Sequence, residues 1–158
     1  MAWNKVARAE WLTRKIAALP AAARAAMVAG NAENAAELMR LQKSLVRKKS
    51  RKTEQSIRSK AGKNDLQVLV VAGGALTTKR LRAGAKTDSK FDNEYDYALA
   101  EEFGTAPHIV GGKFAGARHP GSRPVPFFFP PFRALKKSMK RKMGQKTKAA
   151  AQAVARGG

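Results

Sequence analysis

The chain has 158 residues, no cysteine and a net charge of +21. This length is typical of one domain with extensions, and such a domain can bury a core without covalent staples. The lack of cysteine excludes disulfides and thiolate metal sites, and no apolar run approaches the ~20 residues of a membrane span. With no apolar segment after the charged start of the chain, we expect a protein of the cytoplasm or of a particle assembled there, and no membrane contact.

The positive charge is concentrated at the two ends of the chain. Residues 1–66 carry a net charge of +10, residues 67–102 of −1, and residues 103–158 of +12 without a single acidic residue. Such a field attracts polyanions, which are nucleic acid or an acidic protein surface. Solvated helix faces and a disordered basic tail are the alternative explanation. We favour an anionic partner, because the isoelectric point is as high as about 11.1.

The N-terminal third is predicted to be helical. Apolar residues at helical spacing predict a first helix over 3–19, and Pro20 should break or kink it. A long second helix is predicted over 21–47, where alanine is frequent, and it is either separate from the first or the second arm of one bent helix. Its expected apolar stripe consists of Met27, Leu38, Leu41 and Leu45.

A cluster of cations follows this second helix. It is either the solvated end of a helix, where cations suit the helix dipole, or a patch that contacts phosphate, and the sequence does not choose between the two. The cluster consists of Arg47, Lys48, Lys49, Arg51 and Lys52.

A small antiparallel sheet is predicted in the middle of the chain. Residues 66–72 are rich in β-branched side chains and are bounded by turn residues, which predicts a strand that ends at Gly73 and Gly74. Residues 76–82 alternate weakly, and we expect them to pair with this strand as a hairpin. Residues 84–93 are polar and are expected to form a loop.

The segment 95–103 fits a strand by its alternation and a helix by its Ala-Leu-Ala-Glu-Glu composition. We predict a short helix that ends near Gly104, where a left-handed glycine can close it. A long Gly/Pro-rich loop is predicted over 104–126. A loop of this length within a compact domain is functional or disordered.

An aromatic block follows the loop, with Phe127, Phe128, Phe129 and Phe132 within six positions. Residues 127–129 are a candidate short strand that Pro130 and Pro131 would stop. One or two of these rings should belong to the core. The others would form an exposed apolar patch, which is typical of protein interfaces, and stacking on single-stranded nucleic acid is the alternative.

A basic C-terminal helix is predicted over 132–145, where Phe132, Leu135, Met139 and Met143 recur at helical spacing. Residues 146–158 are rich in alanine and cations, and we expect them to form a frayed tail. The domain organisation predicted from these elements is a single α+β domain over 1–145 followed by that tail.

We predict no catalytic residue, no metal site and no cofactor. The two histidines, His108 and His119, lie in the Gly/Pro loop without cysteine and with few carboxylates nearby, whereas a metal site needs three or four convergent ligands. Gly73 and Gly74 follow a strand but complete neither a dinucleotide fingerprint nor a phosphate-binding loop. We therefore expect a protein that is not an enzyme.

Three short motifs occur in a characteristic order: Tyr97-Ala98, then Glu101-Glu102-Phe103-Gly104-Thr105, then Pro124-x-Pro126-Phe127. Together with a long N-terminal helix, a Ser-Ile pair before a strand and a glycine stop, this order resembles the bacteriophage head–tail connector or tail-completion proteins of the neck. The resemblance covers roughly residues 5–145. The family is of the kind found in siphophages, prophages and gene transfer agents, and the Phe-Phe-Phe-Pro form with the Ala/Gly-rich loop is similar to versions carried by alphaproteobacterial prophages and gene transfer agents.

The resemblance implies a structural virion protein. Members of this family are α+β subunits that form a ring, of roughly six or twelve copies, at the head–tail junction around the DNA channel. The implied partners are other copies of the chain, portal, adaptor or stopper proteins on the head side, a tail terminator or tail-tube protein on the tail side, and passing double-stranded DNA. The implied location is the virion or a phage-like particle, assembled in the bacterial cytoplasm.

Two sets of residues are expected to make these contacts. The expected subunit or partner contacts are Tyr97, Glu101, Phe103, Gly104, Thr105, Pro124, Pro126, Phe127, Phe128, Phe129 and Phe132. The expected contacts to DNA or to an acidic partner are Arg47, Lys48, Lys49, Arg51, Lys52, Lys113, Arg118, Lys136, Lys137, Lys140 and Arg141. The alternative function is that of a basic nucleic-acid-binding protein associated with the nucleoid or the ribosome, which would explain the charge but not the order of the motifs.

Overall fold

The computed structural model describes residue 10 and residues 21–49, 51–80, 94–110, 114 and 116–157. Mixed helices and short antiparallel pairs confirm the α+β class. The helices are α1 Ala21–Leu45, α2 Lys52–Ser56, α3 Tyr97–Phe103 and α4 Phe129–Gly157. The strands are β1 Arg58–Ala61, β2 Val68–Val71, β3 Thr78–Arg80, β4 Glu94–Asp96, β5 His108–Ile109 and β6 Arg118–His119. Apart from residue 10, the helix predicted over 3–19 lies outside the described residues, as do Pro20 and the loop predicted over 84–93.

Helix α1 confirms the long helix predicted over 21–47, but its apolar stripe differs from the prediction. Leu38 is buried as expected, whereas Leu45 at the end of the helix is 49% exposed. The buried positions of α1 also include small or polar residues, among them Ala23, Asn34 and Gln42. The buried face of α1 therefore contains small and polar residues, which a prediction from large apolar residues alone does not include.

The strand pairing differs from the predicted hairpin. Strand β2 confirms the strand predicted in 66–72, but it pairs with β1, and β3 pairs with β4 instead. Gly73 and Gly74 both have a positive φ, and the N–H groups of Thr77 and Thr78 donate to the carbonyl of Gly74. This turn carries the chain away from β2. Strand β1 was not predicted because its sequence, Arg-Ser-Lys-Ala, is exposed throughout and has no apolar alternation.

The described chain divides into two compact units. Unit 1 comprises residues 1–35, 61–68 and 136–158, and unit 2 comprises residues 36–60 and 69–135. In unit 1, the two helices approach closely at Gly30, where a Cβ atom would lie 2.5 Å from the sulfur of Met143. The turn between β1 and β2 contacts α1, because Arg24 pairs with Asp65 and the Asn31 side chain donates to the carbonyl of Leu66.

Unit 2 has a small apolar core formed by Val46, Ile57 and Phe127. Partly buried Met39, Val70, Ala72 and Phe128 pack against it. Ser56 lies beside this core with no exposed surface, and its hydroxyl accepts the N–H of Gly73 at 3.0 Å and donates to the carbonyl of Thr53 at 2.7 Å. The Ser-Ile pair of the sequence therefore fixes α2 against the glycine turn that follows β2.

Helix α4 is longer than predicted at both ends. It begins at Phe129 rather than at 132 and continues to Gly157, through the stretch for which a frayed tail was expected. Alanine-rich sequence favours helix here, and contacts within unit 1 support it, because Lys146 pairs with Glu33 and Met143 packs at Gly30. No strand forms over 127–129, since Phe129 already belongs to α4.

Candidate functional site

A buried carboxylate fixes the aromatic block at the start of α4. The Glu102 side chain is 6% exposed and accepts three successive backbone N–H groups. Phe127 and Phe128 donate to its Oε2 at 2.7 and 2.8 Å, and Phe129 donates to its Oε1 at 3.1 Å. A carboxylate suits this position because the first N–H groups of a helix lack intrahelical partners and carry partial positive charge. We call Glu102 and these three N–H groups the Glu102 anchor.

Pro130 and Pro131 complete the anchor. They were expected to stop a strand, but they occupy the first turn of α4 instead. Proline is accommodated there because the N–H group that it lacks would have no intrahelical partner. The Glu102 carboxylate therefore accepts the three N–H groups before the prolines. The next two residues are prolines, which have no N–H group to satisfy.

At Gly104 the end of α3 approaches the backbone of Ser122 and Pro124 closely. The N–H of Gly104 donates to the carbonyl of Ala100, which ends α3 where predicted. Its φ is 74° as expected for glycine, but its ψ of −176° is extended, so the chain leaves straight rather than through a left-handed cap. A Cβ atom here would lie 2.5 Å from the carbonyl oxygen of Ser122 and 2.9 Å from the nitrogen of Pro124.

Further hydrogen bonds join the two sides of the predicted loop. The N–H of Thr105 donates to the backbone carbonyl of Ser122 at 3.0 Å, and the N–H of Ser122 donates to the backbone carbonyl of Thr105 at 3.1 Å. The N–H of Val125 donates to the backbone carbonyl of Glu101 at 2.8 Å. The ends of the segment 105–122 are therefore held together by direct backbone pairing.

The segment between these ends, residues 105–122, contains a small hairpin within the long Gly/Pro-rich loop that was predicted. Strands β5 and β6 are antiparallel, with His108 opposite His119. The two imidazole rings stack with centroids 4.9 Å apart. Ile109 and Phe114 within it are 65% and 66% exposed. We call residues 105–122 the hairpin segment; it presents two large apolar side chains to solvent.

The aromatic block divides between core and surface. Phe127 is 2% exposed and belongs to the core, so it has little surface left for the partner contact predicted for it. Phe128 is half-buried against that core. Phe129 and Phe132, one helical turn apart, are 41% and 43% exposed. As expected, part of the block is core and the remainder is available for binding.

Of the two exposed phenylalanines of α4, Phe129 lies beside exposed side chains of α3. Leu99 and Phe103, one turn apart on α3, are both 61% exposed, and the rings of Phe103 and Phe129 lie 5.9 Å apart. We call Leu99, Phe103, Phe129 and Phe132 the α3–α4 patch. A groove of about 200 Å³ lies within this region, lined mainly by apolar atoms of α3 and of residues 127–129 together with Asp96 and Glu102. Exposed apolar surface beside a groove is typical of binding sites.

The other residues predicted as contacts lie around this patch within unit 2. Tyr97 is half-buried, and its hydroxyl donates to the carbonyl of Leu76 at 3.1 Å. Pro124 and Pro126 are exposed. Glu101 is half-buried, and its Oε2 has no hydrogen-bond partner among the described residues. Of the two adjacent glutamates, the sequence prediction selected Glu101, whereas Glu102 makes the structural contact.

Carboxylates are frequent along β4 and α3, although one of them, Glu102, is buried in the anchor. Residues 94–102 contain four carboxylates and no lysine or arginine. Burial raises the pKa of the Tyr95 hydroxyl, and the carboxylates of Asp96 and Glu101 raise it further. Lys79 of β3 lies over the Tyr97 ring at 5.6 Å but is not part of the groove lining. The groove is therefore a mainly apolar site whose lining includes two carboxylates, those of Asp96 and Glu102.

The predicted cationic residues occupy three places. Arg47, Lys48, Lys49, Arg51 and Lys52 are exposed in the connection from α1 and at the start of α2. Arg118 is exposed on β6, and Lys113 lies outside the described residues. Helix α4 carries nine lysines or arginines and no acidic residue. Of the predicted contacts on α4, Lys136, Lys137, Lys140 and Arg141 are all exposed.

Sequence reasoning missed several residues of this region. Glu102, Leu99, Ile109 and Phe114 were not among the predicted contacts. Adjacent residues on a helix point in different directions, so only one glutamate of the pair can face residues 127–129. This was the available indication that one of the two glutamates makes a structural contact. For Ile109 and Phe114 the available signal was a large apolar residue flanked by turn formers on a predicted loop.

Comparison with known proteins assigns no family: no family model matches the chain, and neither a curated protein nor a solved structure matches it. None of the helices in the described part of the chain is both long enough and apolar enough to cross a membrane. A function for the α3–α4 patch must therefore be argued from its contacts, its exposure and its charge.

Proposed function

We propose that the protein is a structural subunit of the neck of a bacteriophage or phage-like particle. Copies of the chain would form a ring at the head–tail junction that joins the portal, adaptor or stopper side to the tail terminator or tail tube around the DNA. The observation that carries this proposal is the α3–α4 patch, which presents four large exposed apolar side chains on a backbone fixed by the Glu102 anchor.

The motifs that resemble the neck family form one contact network in this chain. Glu102 holds the residues that follow Pro126, Gly104 passes against Ser122 and Pro124, and Thr105 pairs with Ser122. The motif at 101–105 thus contacts the returning chain at 122–127 directly, which gives one physical reason for the order and spacing of the motifs. This supports the resemblance, because separate short motifs would otherwise be weak signals.

A ring suits a patch of this type. In a closed ring every subunit repeats the same contacts, so an interface that is weak between two copies gains strength through multiplicity. A fixed backbone also lowers the entropic cost of binding, because few side chains and no loop need to be ordered on contact.

The cationic residues of α4 support a position near DNA. Arg133, Lys136, Lys137 and Lys140 recur at spacings of three and four, with Arg141 and Lys148 beside them, so they share one face of the helix. This face extends over about 22 Å, a length over which duplex DNA presents many phosphates. Exposed cations that follow a phosphate backbone bind it without regard to sequence, which is what a channel wall requires.

The proposal is tested in the producing bacterium. Deleting the gene should yield filled heads and separate tails that do not join, and supplying the chain in trans should restore joined particles. A tagged copy should be found at the head–tail junction by immuno-electron microscopy. Joined, infectious particles from the deletion strain would refute the proposal.

The cationic face of α4 also favours the alternative function, a basic nucleic-acid-binding protein of the nucleoid or ribosome. Salt dependence separates the two functions. A dedicated binder should bind DNA tightly at low salt, with log K falling by about 0.9 per phosphate contact for each unit of log salt. A neck subunit should bind weakly at physiological salt, because it is held in place by protein contacts. Tight or sequence-selective binding by the isolated chain would favour the alternative.

A further inference from the structure

We infer that a groove between α1 and α2 binds an acidic segment of a partner protein, and that this segment also carries an apolar side chain. The groove has a volume of about 450 Å³, is open to solvent and lies within unit 2. We call it the α1–α2 groove, and its lining includes Ala36, Met39, Arg40, Lys43, Lys48 and Glu54. The inference deepens the proposed function, and it rests on that function only for which protein of the particle supplies the segment.

Two helices and the turn between them form this groove. Its α1 wall is one face of the helix, because the lining positions recur at spacings of three and four: Ala36, Met39, Arg40 and Lys43. Arg51 has a left-handed backbone, with a φ of 56°, where the chain enters α2. Lys48 before this turn and Glu54 after it therefore line the same groove.

The first argument for an acidic partner is charge. Three cations, those of Arg40, Lys43 and Lys48, line the groove together with the carboxylate of Glu54. Within the described part of the chain, none of these cations makes an ion pair or a side-chain hydrogen bond. Residues 36–60 as a whole contain nine cations and two carboxylates, so the field around the groove is positive as well. Cations that converge on a concave site without partners attract carboxylates.

The second argument is the apolar floor of the groove. Met39 is half-buried, since it packs against the core of Val46, Ile57 and Phe127 on one side and lines the groove on the other. Ala36 lies almost one helical turn before it, and the lining is mainly apolar. Methionine is a flexible and polarisable side chain that adapts to bound apolar groups. An apolar side chain of the partner would therefore be stabilised on this floor.

The third argument separates a peptide from nucleic acid. Binding of a phosphate backbone depends on cations along an extended surface, such as the cationic face of α4, and it needs no apolar floor. Glu54 lies among the cations of the groove, where it would repel phosphate. A peptide backbone, in contrast, brings N–H groups that a carboxylate accepts. A volume of about 450 Å³ also has room for a few side chains rather than for a duplex.

The inference assigns different partners to two cationic regions of the chain. Lys48 belongs to the cluster for which the sequence allowed both a solvated helix end and a phosphate contact. In the structure it lines a groove with Arg40 and Lys43 of α1, which were not among the predicted contacts. We therefore assign this groove to a protein partner and the cationic face of α4 to DNA.

Methyl NMR of the full-length chain tests the site directly. The probe is a synthetic peptide in which glutamate alternates with leucine, and the matched control is the same peptide with serine in place of leucine. We expect the leucine peptide to shift the methyl resonance of Met39 and to leave that of Met143, in unit 1, unchanged. Met39→Leu assigns the resonance. No shift at Met39, or an equal shift with the serine peptide, would overturn the inference.

Charge-reversal variants test the cations of the groove. Lys43→Glu with Lys48→Glu changes the groove, and Lys136→Glu with Lys140→Glu makes the same change of charge on α4 as the matched control. We expect the groove variant to bind the leucine peptide about tenfold more weakly and to bind a DNA duplex at low salt as the parent chain does. The α4 variant should show the reverse, and circular dichroism checks that both variants fold. Equal loss of peptide binding in both variants, or loss of DNA binding in the groove variant alone, would overturn the inference.

These outcomes differ from those that test the proposed function. If the leucine peptide binds the α1–α2 groove but deletion of the gene leaves particles joined, the groove site is right and the neck function is wrong. If the chain is found at the head–tail junction but the resonance of Met39 does not respond, the neck function is right and the inference about the groove is wrong.

Discussion

Unit 1 and unit 2 bury different kinds of side chain. The buried residues described in unit 1 are no larger than leucine, and its polar contacts, such as Arg24 with Asp65, lie at the surface. Unit 2 buries the larger ring of Phe127 and also the carboxylate of Glu102. Surface ion pairs and small-residue packing tolerate change, whereas a buried ring or a buried carboxylate with three partners does not. We therefore expect equivalent substitutions to cost more in unit 2.

The largest expected effect is that of Phe127→Ala. This ring is 2% exposed in the core of unit 2, and its removal should lower the free energy of unfolding by about 3–5 kcal/mol through the cavity left behind. Phe132→Ala is the matched control, since that ring is 43% exposed and its loss should cost less than about 1 kcal/mol. Urea denaturation followed by circular dichroism measures both. Equal losses would contradict the division of the aromatic block into core and surface.

Three glycine substitutions compare the units directly. Gly104→Ala should cost about 3 kcal/mol, because φ is positive and the new Cβ atom meets backbone atoms of Ser122 and Pro124. Gly116→Ala, where φ is also positive but no atom lies within 4 Å, should cost about 1 kcal/mol.

In unit 1, Gly30→Ala should be nearly neutral. Its Cβ atom meets the flexible end of Met143, which can move, and the gain in helix propensity of about 1 kcal/mol offsets that movement. The same denaturation measurement applies to all three variants. A loss at Gly30 that matches the loss at Gly104 would refute the contrast between the units.

Glu102→Gln should lower the free energy of unfolding by about 2 kcal/mol. The amide keeps one acceptor oxygen, but it loses the charge and brings an NH₂ group towards N–H donors. Glu33→Gln in unit 1 is the matched control, because Glu33 is largely exposed and its ion pair with Lys146 is a surface contact, so it should cost less than about 1 kcal/mol. If the two glutamine variants proved equally stable, Glu102 would not hold the start of α4.

Much of the fold could be predicted from patterns that are local in sequence. Alanine-rich periodicity predicted α1, and the helix propensity of residues 98–102 together with Gly104 predicted α3 and its end. The partner of β2 could not be predicted, because β1 is polar and exposed and only its tertiary contact makes it a strand. The full length of α4 was missed because its C-terminal half is supported by contacts at Gly30 and Glu33, which lie far away in sequence.

The candidate site could be predicted only in part. Clustering of phenylalanines correctly indicated a block divided between core and surface, but it could not say that Phe127 is inside and Phe129 outside. That division depends on where the Glu102 carboxylate binds the backbone, about 25 residues away in sequence. The Pro-Pro pair was misread as a strand stop because the same two residues suit a helix start whenever a distant acceptor takes the remaining N–H groups.

The smallest expected effect concerns Asp65 in unit 1 and is best seen in a titration. The hydrogen bond from Arg24 holds the pKa of the Asp65 carboxyl below its ordinary value of 3.8. A carboxyl whose pKa is lowered by folding adds stability above that ordinary value, and this stability is lost as the pH falls through the lower, folded pKa. In Arg24→Gln the pKa of Asp65 should therefore rise towards 3.8, as measured by NMR of its side-chain carbon.

The change in stability with this titration should be small, because both partners are substantially exposed, at 36% and 48%, and salt screens the pair. Arg40→Gln, which removes an exposed cation of α1 in unit 2, is the matched control and should leave the titration of Asp65 unchanged. Added salt should reduce the difference between Arg24→Gln and the parent chain, since a surface pair weakens as ionic strength rises. If instead Arg24→Gln destabilised the protein as much as Phe127→Ala, unit 1 would depend on a specific polar contact as strongly as unit 2 does, and the contrast between the units would fail.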